Sequence, residues 1–95
     1  MVQIEWSEIS DYDIIQIYSY IYQDSVYYAV KTINEIVKST ESLEMFPYMG
    51  RKVPERNLTQ FRELIYKSYR IIYEVQSNKI IILRIWHSAR NLPIQ

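Results

Sequence analysis

The chain of 95 residues contains no cysteine, one glycine and three prolines. Without cysteine it can form neither a disulfide framework nor a thiolate metal site, and a reducing cytoplasm is the expected location. Scarce glycine and proline, together with 48% apolar residues, predict a folded chain and not a disordered one. No apolar run approaches the roughly 18 residues that span a bilayer, and the N-terminus has no signal-peptide pattern. We therefore expect a cytoplasmic protein with no membrane partner.

Basic residues are scarce in the first half of the chain. Residues 1–46 hold two basic and eight acidic residues, a net charge of −6. Residues 47–95 hold nine basic and three acidic residues, a net charge of +6. Because 95 residues suffice for one domain and not for two, this asymmetry lies within a single domain spanning 1–95. A partner of high charge density is expected.

The first half of the sequence predicts a strand followed by a helical hairpin. Residues 2–6 alternate apolar and polar side chains, the pattern of a half-buried strand that is short enough to form an edge. Ser7 and Ser10 are both suitable N-caps for a first helix, and Ser25 is suitable for a second. A short turn near residues 23–25 then joins two helices into a hairpin.

The predicted helices carry many apolar and aromatic side chains. The second helix has one apolar stripe, made of Val26, Ala29, Val30, Ile33, Ile36, Val37, Thr40 and Leu43. Five further tyrosines exceed what one buried stripe can absorb, namely Tyr12, Tyr20, Tyr22, Tyr27 and Tyr28. Half-buried tyrosines often mark protein interfaces, but we expect most of these to pack in the core.

The second half predicts a basic loop and then three strands. Two prolines and the only glycine fall within residues 46–55, which indicates a loop. Three runs rich in Ile, Tyr and Val follow at 61–66, 69–75 and 79–87 and predict an antiparallel meander. The expected fold is therefore α+β in two layers, with an N-terminal strand, a helical hairpin on one face of an antiparallel sheet and a C-terminal three-stranded meander.

Two registers are open for the hairpin between the last two strands, and a slip of one residue exchanges the faces of all side chains. A two-residue turn at 77–78 places Arg70 and His87 on the same face. A three-residue connection at 76–78 sets Arg70 opposite Arg84, which like-charge repulsion disfavours unless an anion lies between them.

His87 is the only histidine, so acid-base chemistry at neutral pH would use it first. A single histidine at a strand end is nevertheless more often structural. One histidine without cysteine or closely spaced acids cannot fill a tetrahedral metal site, and the sequence has no phosphate-binding loop motif. We therefore expect neither a metal ion nor a cofactor.

Basic and aromatic residues are interleaved in the second half, as on surfaces that bind nucleic acid. A solvated basic face above core aromatic residues explains the same composition equally well. The residues concerned are Arg51, Lys52, Arg56, Arg62, Lys67, Arg70, Arg84 and Arg90, with Tyr48, Tyr66, Tyr69 and Trp86.

Several segments resemble, in order and spacing, the RelE/ParE toxins of type II toxin–antitoxin modules. They are Trp6-Ser7 and the segments 43–51, 53–55, 61–64, 69–75 and 82–90. The resemblance covers nearly the whole chain. It implies two helices packed on an antiparallel sheet, and a cognate antitoxin with an acidic or partly disordered segment that wraps the toxin.

The RelE-like branch of this family comprises metal-independent endoribonucleases that cut mRNA on the ribosome. Resemblance to that branch implies that Glu55 is the general base, Arg70 the clamp for the phosphate and His87 the general acid. Fixed cations can stabilise the dianionic transition state without a metal ion. Arg62 and Arg84 would support Arg70 in that role.

The ParE-like branch inhibits DNA gyrase and needs no catalytic residues of its own. Under this alternative, Arg70, Arg84 and Arg90 bind a protein or the acidic tail of the antitoxin, and His87 is structural. A family-like binding module without toxicity is a third possibility. The presence of Glu55, Arg70 and His87 favours the nuclease slightly. The expected RNA- or partner-binding residues are Arg51, Lys52, Arg62, Arg84, Trp86 and Arg90.

Overall fold

A computed structural model describes residues 2–88, within which a helical hairpin packs on one face of a five-stranded sheet. Arg90, one of the predicted binding residues, lies outside the described residues. The elements are β1 (Gln3–Trp6), α1 (Glu8–Tyr22), α2 (Val26–Ser39), a 3₁₀ turn (Glu41–Glu44), β2 (Arg51–Lys52), β3 (Phe61–Tyr66), β4 (Tyr69–Val75) and β5 (Lys79–His87). Over this range neither helix is long and apolar enough to cross a membrane.

Both helices begin at serine caps. The Ser7 hydroxyl oxygen accepts a hydrogen bond from the backbone N–H of Ser10 at 3.1 Å, so Ser7 is the cap of α1. Ser10 is instead buried, and its own hydroxyl donates to the Ser7 carbonyl oxygen at 2.8 Å. The Ser25 hydroxyl oxygen accepts from the N–H of Tyr28 at 3.1 Å. The predicted helical hairpin and its second cap are thus confirmed.

The strands lie in the order β1-β5-β4-β3-β2. Strands β3, β4 and β5 form the predicted antiparallel meander. Strand β1 is an edge, as expected, but it runs parallel to β5, with Ile4 opposite Ile80. The sheet is therefore mixed. Inside the segment predicted as a loop, Arg51 and Lys52 pair with β3 and form the other edge.

The face of the sheet beneath the helices holds an apolar core. Its fully buried members are Ile36, Leu43, Ile71, Tyr73, Ile80 and Ile82, with Ile85 beside them. The Tyr73 hydroxyl donates to the Pro47 carbonyl oxygen at 2.8 Å and accepts from the Gly50 N–H at 3.0 Å. A Cβ atom at Gly50 would lie 2.6 Å from the Glu63 carbonyl oxygen, so glycine permits this close approach. The tyrosine thereby fastens the basic loop to the sheet.

The outer surface of the hairpin is more apolar than predicted. Ala29, Ile36 and Leu43 of the α2 stripe are buried, whereas Val26, Val30 and Val37 are exposed. The five helical tyrosines are 50% to 71% exposed, so the prediction that most of them pack in the core is wrong. The physical reason is that a helix in a two-layer fold buries only the side that faces the sheet and its neighbouring helix.

A β-bulge decides which residues of β5 share a face with β4. The Gln76 N–H donates to the Lys79 carbonyl oxygen at 2.9 Å, so the turn is the two-residue one at 77–78. The register then shifts by one residue between Ile72 and Tyr73. Beyond the shift, Arg70 lies opposite Trp86 and Tyr69 opposite His87. The prediction that this turn places Arg70 and His87 on the same face is therefore wrong, because the bulge inverts the alternation.

Candidate functional site

The face of the sheet opposite the helices, which we call the open face, carries a cluster of four charged side chains. This open-face ion cluster consists of Arg51 of β2, Glu63 of β3, Arg70 of β4 and Glu55 of the loop between β2 and β3. Arg70 donates from Nη1 and Nη2 to the two Glu55 carboxylate oxygens at 2.9 and 2.8 Å, and from Nε to Glu63 at 2.7 Å. Arg51 donates to the second oxygen of Glu63.

Glu63 and Arg70 form the buried part of the cluster, whereas the Arg51 side chain is 61% exposed. The cluster carries no net charge, because it contains two guanidinium groups and two carboxylates. The side chain of Glu63 is 0% exposed, that of Arg70 9% and that of Glu55 28%. The hydrogen bond to Glu55 raises the pKa of Arg70, and the bond from Arg70 lowers the pKa of Glu55. Both groups are therefore held in their charged forms. A general base works best with a pKa near the working pH, and this pairing moves Glu55 away from it.

Glu63 is the member of the cluster that sequence reasoning missed. It is a cross-strand partner of Arg51 and lies under the loop, so it receives hydrogen bonds from both arginines. A signal existed in the sequence, since Glu63 shares one face of a predicted strand with the apolar residues Phe61 and Ile65, two positions to either side. An ionised side chain at a buried position is almost always paired.

A small apolar cluster lies beside these charges. It consists of Val53, Phe61 and Ile72, with Leu83 and Trp86 packed against it. Val53 lies at the start of the β2–β3 loop, and its N–H donates to the Phe61 carbonyl oxygen at 3.2 Å. The buried Val53 side chain thus brings the loop down onto the sheet, which is how Glu55 reaches Arg70.

Arg62 and Lys52 are opposite each other on β3 and β2. Because neighbouring strand residues point to opposite faces, they lie on the side away from the open-face ion cluster. The Arg62 guanidinium donates to the carbonyl oxygens of Gly50 at 3.2 Å and Thr59 at 2.8 Å and lies over the Tyr48 ring. Arg62 is therefore engaged in holding the backbone before β2 and the backbone before β3, whereas Lys52 is exposed.

Arg84 joins the sheet to the first helix. It donates from Nε and Nη2 to the carboxylate of the buried Asp13 at 2.9 and 3.0 Å. The same carboxylate accepts the backbone N–H of Ile85 at 3.0 Å, beyond the point where β1 ends. The bond to Asp13 raises the pKa of Arg84. The guanidinium also stacks over the Trp86 ring at 4.7 Å.

His87 lies on the helix side of β5. Its ring meets the ring of Tyr69 edge-on, with 5.5 Å between the centroids. It lines an open groove of about 760 Å³, whose other walls include Tyr12, Gln16 and Tyr20 of α1. The structure therefore brings Glu55, Arg70 and Arg51 together and places His87 on the opposite face of the sheet.

Three basic residues of the second half are paired with carboxylates. Arg51, Arg70 and Arg84 are each bonded to a carboxylate, and one of those carboxylates, Asp13, comes from the acidic half of the chain. Within residues 2–88, no group of three His, Asp or Glu side chains is placed to hold a metal ion. What this arrangement offers a ligand is an arginine fork closed by a loop carboxylate, and separately an aromatic groove.

A helical hairpin laid across one face of a sheet with a C-terminal meander and a charged open face defines the class of small type II toxins that the sequence resembles. Residues 4–92 match the model of the family described as ParE toxin of type II toxin-antitoxin system, parDE. The chain belongs to this family, and the predicted membership in the RelE/ParE superfamily is confirmed.

Solved structures with the same fold include toxins alone and toxin–antitoxin assemblies. The chromosomal ParDE system of P. aeruginosa matches with a TM-score of 0.76 and 23% identity, over 92% of this chain and 96% of that chain. The YoeB dimer of Staphylococcus aureus matches with a TM-score of 0.63 and 23% identity, over 90% of this chain and 95% of that chain. The YoeB-YefM complex of Staphylococcus aureus matches with a TM-score of 0.57 and 20% identity, over 92% of this chain and 97% of that chain. At these identities the likeness shows the fold alone. No curated protein matches the sequence.

Proposed function

We propose that this type II toxin arrests growth by binding a protein target, DNA gyrase, and that it does not cut mRNA. The target is the one implied by the resemblance to the ParE-like branch. The observation that carries the proposal is the separation of Glu55 and Arg70 from His87 by the sheet. This reverses the slight preference for a nuclease that the three residue types suggest in the sequence.

Cleavage of a ribose phosphate by a base and an acid requires both groups within hydrogen-bond reach of the same phosphodiester. Glu55 is bonded to Arg70 on the open face, whereas His87 packs against Tyr69 on the helix side. The backbone of β4 and β5 lies between them. The register, with Trp86 opposite Arg70 and His87 opposite Tyr69, therefore disfavours contact of one phosphodiester with both Glu55 and His87 in this conformation.

The electrostatics support the same proposal. Transition-state stabilisation depends on fixed cations aimed at the developing charge. Arg70 is aimed at two carboxylates of its own chain, and Arg84 is aimed at Asp13. The two residues best suited to clamp a phosphate thus serve the fold.

The exposed surface suits a protein partner. Ile9, Tyr12 and Ile15 of α1 and Val30 and Val37 of α2 are exposed apolar side chains on one helical hairpin. Large apolar side chains and tyrosines are typical of protein interfaces. A cognate antitoxin is one such partner, in keeping with the YoeB-YefM complex, whose toxin shares this fold.

The test is an expression pulse of the wild type and of His87→Ala, with Glu41→Ala as a matched control at an exposed position. We expect all three to be equally toxic and to cause a DNA damage response with filamentation. The purified toxin should inhibit supercoiling by gyrase. Removal of a general acid slows catalysis by about 10²- to 10⁴-fold. Loss of toxicity confined to His87→Ala, together with mRNA cut in a translating extract, would establish the nuclease instead.

A further inference from the structure

We propose that a projecting apolar turn, residues 45–49, is the surface with which the toxin enters an apolar cleft of its protein target. The inference rests on the proposed function in one respect, since it takes the target to be a folded protein, DNA gyrase. It adds which part of the toxin makes the contact and what chemistry the receiving cleft has.

The apolar turn exposes a contiguous set of large apolar side chains. Four of its five residues are more than half exposed, namely Met45 at 63%, Phe46 at 63%, Tyr48 at 52% and Met49 at 53%. Single exposed apolar residues are ordinary on a protein surface, whereas contiguous ones mark interaction sites. Methionine and aromatic side chains are enriched in protein interfaces. The composition of the apolar turn is therefore that of an interface.

The apolar turn is held in one conformation before any partner binds. A backbone hydrogen bond of 3.1 Å joins its second and fifth residues, and the Met49 sulfur accepts from the Ser42 hydroxyl at 3.2 Å. The hydroxyl of the buried Tyr73 bonds to the backbone of Pro47 and of Gly50. Binding through this turn therefore costs little ordering of the backbone, which raises affinity.

The shape of the apolar turn favours a folded target over an extended segment. A turn whose side chains are mostly exposed on four of five residues is convex. An extended or helical segment of a partner binds in a groove or along a strand edge, whereas a folded protein offers preformed clefts that receive a convex surface. The cleft must itself be apolar, because a polar lining would lose its hydrogen bonds to water against these side chains.

Two cations without a carboxylate partner lie beside the apolar turn. The Arg62 guanidinium lies 5.1 Å from the centroid of the Tyr48 ring, and Lys52 is opposite Arg62 on the neighbouring strand. Within residues 2–88, neither cation is within ion-pair distance of a carboxylate. Both lie on the side of the sheet away from the open-face ion cluster. Carboxylates at the rim of the target's cleft would complement them.

The experiment measures binding of the purified toxin to immobilised DNA gyrase and, in parallel, growth arrest in an expression pulse. Phe46→Ala truncates the more exposed of the two aromatic rings in the apolar turn. Ile65→Ala is the control, because Ile65 is 54% exposed and lies on the open face, opposite Arg70. We expect Phe46→Ala to weaken binding about tenfold and to reduce growth arrest, and Ile65→Ala to match the wild type. Urea denaturation establishes that each variant is folded.

Lys52→Gln tests the complementary charge. We expect its association with gyrase to be about threefold slower and its dissociation to be nearly unchanged, because a charge at the rim of an interface acts mainly on encounter. Lys31→Gln, at an exposed position of α2, is the control with the same change in charge. Equal effects of the two variants would overturn the assignment of charge to the cations beside the turn.

Unchanged binding and unchanged growth arrest in Phe46→Ala would overturn the proposal. So would a wild type that sediments as a dimer and becomes a monomer in Phe46→Ala, since a second copy would then cover the turn. The wild type provides a measurement that does not depend on any variant. Bound gyrase should slow the oxidation of Met45 and Met49 to sulfoxides by hydrogen peroxide, followed by mass spectrometry. An unchanged rate of oxidation would contradict burial of the turn.

Failure of this proposal is distinguishable from failure of the proposed function, because growth arrest depends on the target whatever its identity. A wild type that does not bind gyrase, with growth arrest lost in Phe46→Ala and kept in Ile65→Ala, would refute gyrase and retain the apolar turn as the surface that meets the target. Conversely, equal inhibition of gyrase by the wild type and Phe46→Ala would retain the target and refute this surface.

Discussion

The two faces of the sheet are held in place by different forces. The face beneath the helices is packed with aliphatic side chains around Tyr73 and Ile82, both fully buried. Within residues 2–88, the β2–β3 loop lies over the open face, and the buried side chains there include Glu63 and Arg70. The comparison teaches that a stretch rich in arginine need not form a positive surface. Here Arg70 holds a loop, and Arg84 holds a helix, against the sheet.

The reason is the difference in apolar surface between the two helices, which pack on one face, and the β2–β3 loop, which packs on the other. Two helices bring a continuous apolar side to the sheet, and this burial is worth about 25 cal/mol for each Å² removed from water. The loop buries Val53, and polar bonds add to its attachment: Glu55 accepts from Arg70, and the Thr59 carbonyl oxygen accepts from Arg62. Removing one partner of a buried ion pair is strongly destabilising, because the charge left behind is buried without a partner.

The largest expected effect is for Glu63→Ala. This change leaves Arg70 with Glu55 alone and removes the partner of Arg51, and we expect a loss of about 3 kcal/mol in the free energy of unfolding. Urea denaturation measures it. Glu41→Ala, an exposed acid removed in the same way, should change stability by less than about 0.5 kcal/mol. Similar values for the two variants would mean that the open face is not held by its ion pairs.

Asp13→Ala tests whether the pair with Arg84 plays the same part at the other end of the sheet. The Asp13 carboxylate accepts two bonds from Arg84 and one from the Ile85 N–H. Arg84 is one-third exposed and water can solvate it, so we expect a smaller loss, about 2 kcal/mol. Asp24→Ala in the exposed turn is the control. Hydrogen exchange should rise at Ile85 in Asp13→Ala alone, and an unchanged rate would contradict the assigned bond.

Tyr73→Phe tests how much the apolar face contributes to holding the basic loop. The substitution keeps the buried ring and removes the hydroxyl that bonds to Pro47 and Gly50. Leaving the Gly50 N–H unpaired in a buried place should cost about 1 to 2 kcal/mol, measured by urea denaturation. Tyr27→Phe, on the exposed side of α2, should be close to neutral. A neutral Tyr73→Phe would show that the loop is held on the open side only.

The smallest expected effect is the change with pH in the contribution of Glu55 to the free energy of unfolding. Its pKa in the folded chain is lowered from 4.5 by Arg70, so the unfolded chain binds more protons at this group than the folded chain. The stabilisation is therefore fully present above about pH 4.5 and is lost as the pH falls through the lowered folded pKa. The stability difference between the wild type and Glu55→Gln should be constant from pH 6 to 8 and shrink below about pH 4.5. A difference that grows on acidification would contradict the assigned direction.

Sequence patterns within single helices and strands predicted most of the fold. The capping serines Ser7 and Ser25 and the three β-rich runs gave correct helices and a correct meander. Such signals are local, because a cap or an alternation depends on residues a few positions apart. The parallel pairing of β1 with β5 joins residues about 76 positions apart, as in Gln3 and Lys79, and carries no comparable local signal.

The candidate site was only partly predictable, because it too depends on pairing between residues far apart in the sequence. The sequence places Glu55, Arg70 and His87 in three different segments, and the extra residue at the bulge near Leu83 puts His87 on the helix side. The neutralisation of Arg70 by Glu63 was not predicted from the sequence. A strand pattern says that Glu63 faces inward, but not which cation meets it.

The sequence by itself determined the element types, the single layer of helices and the family, because these follow from local propensity, periodicity and ordered motifs. Tertiary structure alone decided the functional geometry. Pairing across β2, β3 and β4 brought Arg51, Glu63 and Arg70 together, and folding of the loop added Glu55. Charge in a sequence is a sum over residues, whereas the charge a partner meets depends on which opposite groups lie within hydrogen-bond distance. In this toxin the tertiary fold pairs those groups with one another.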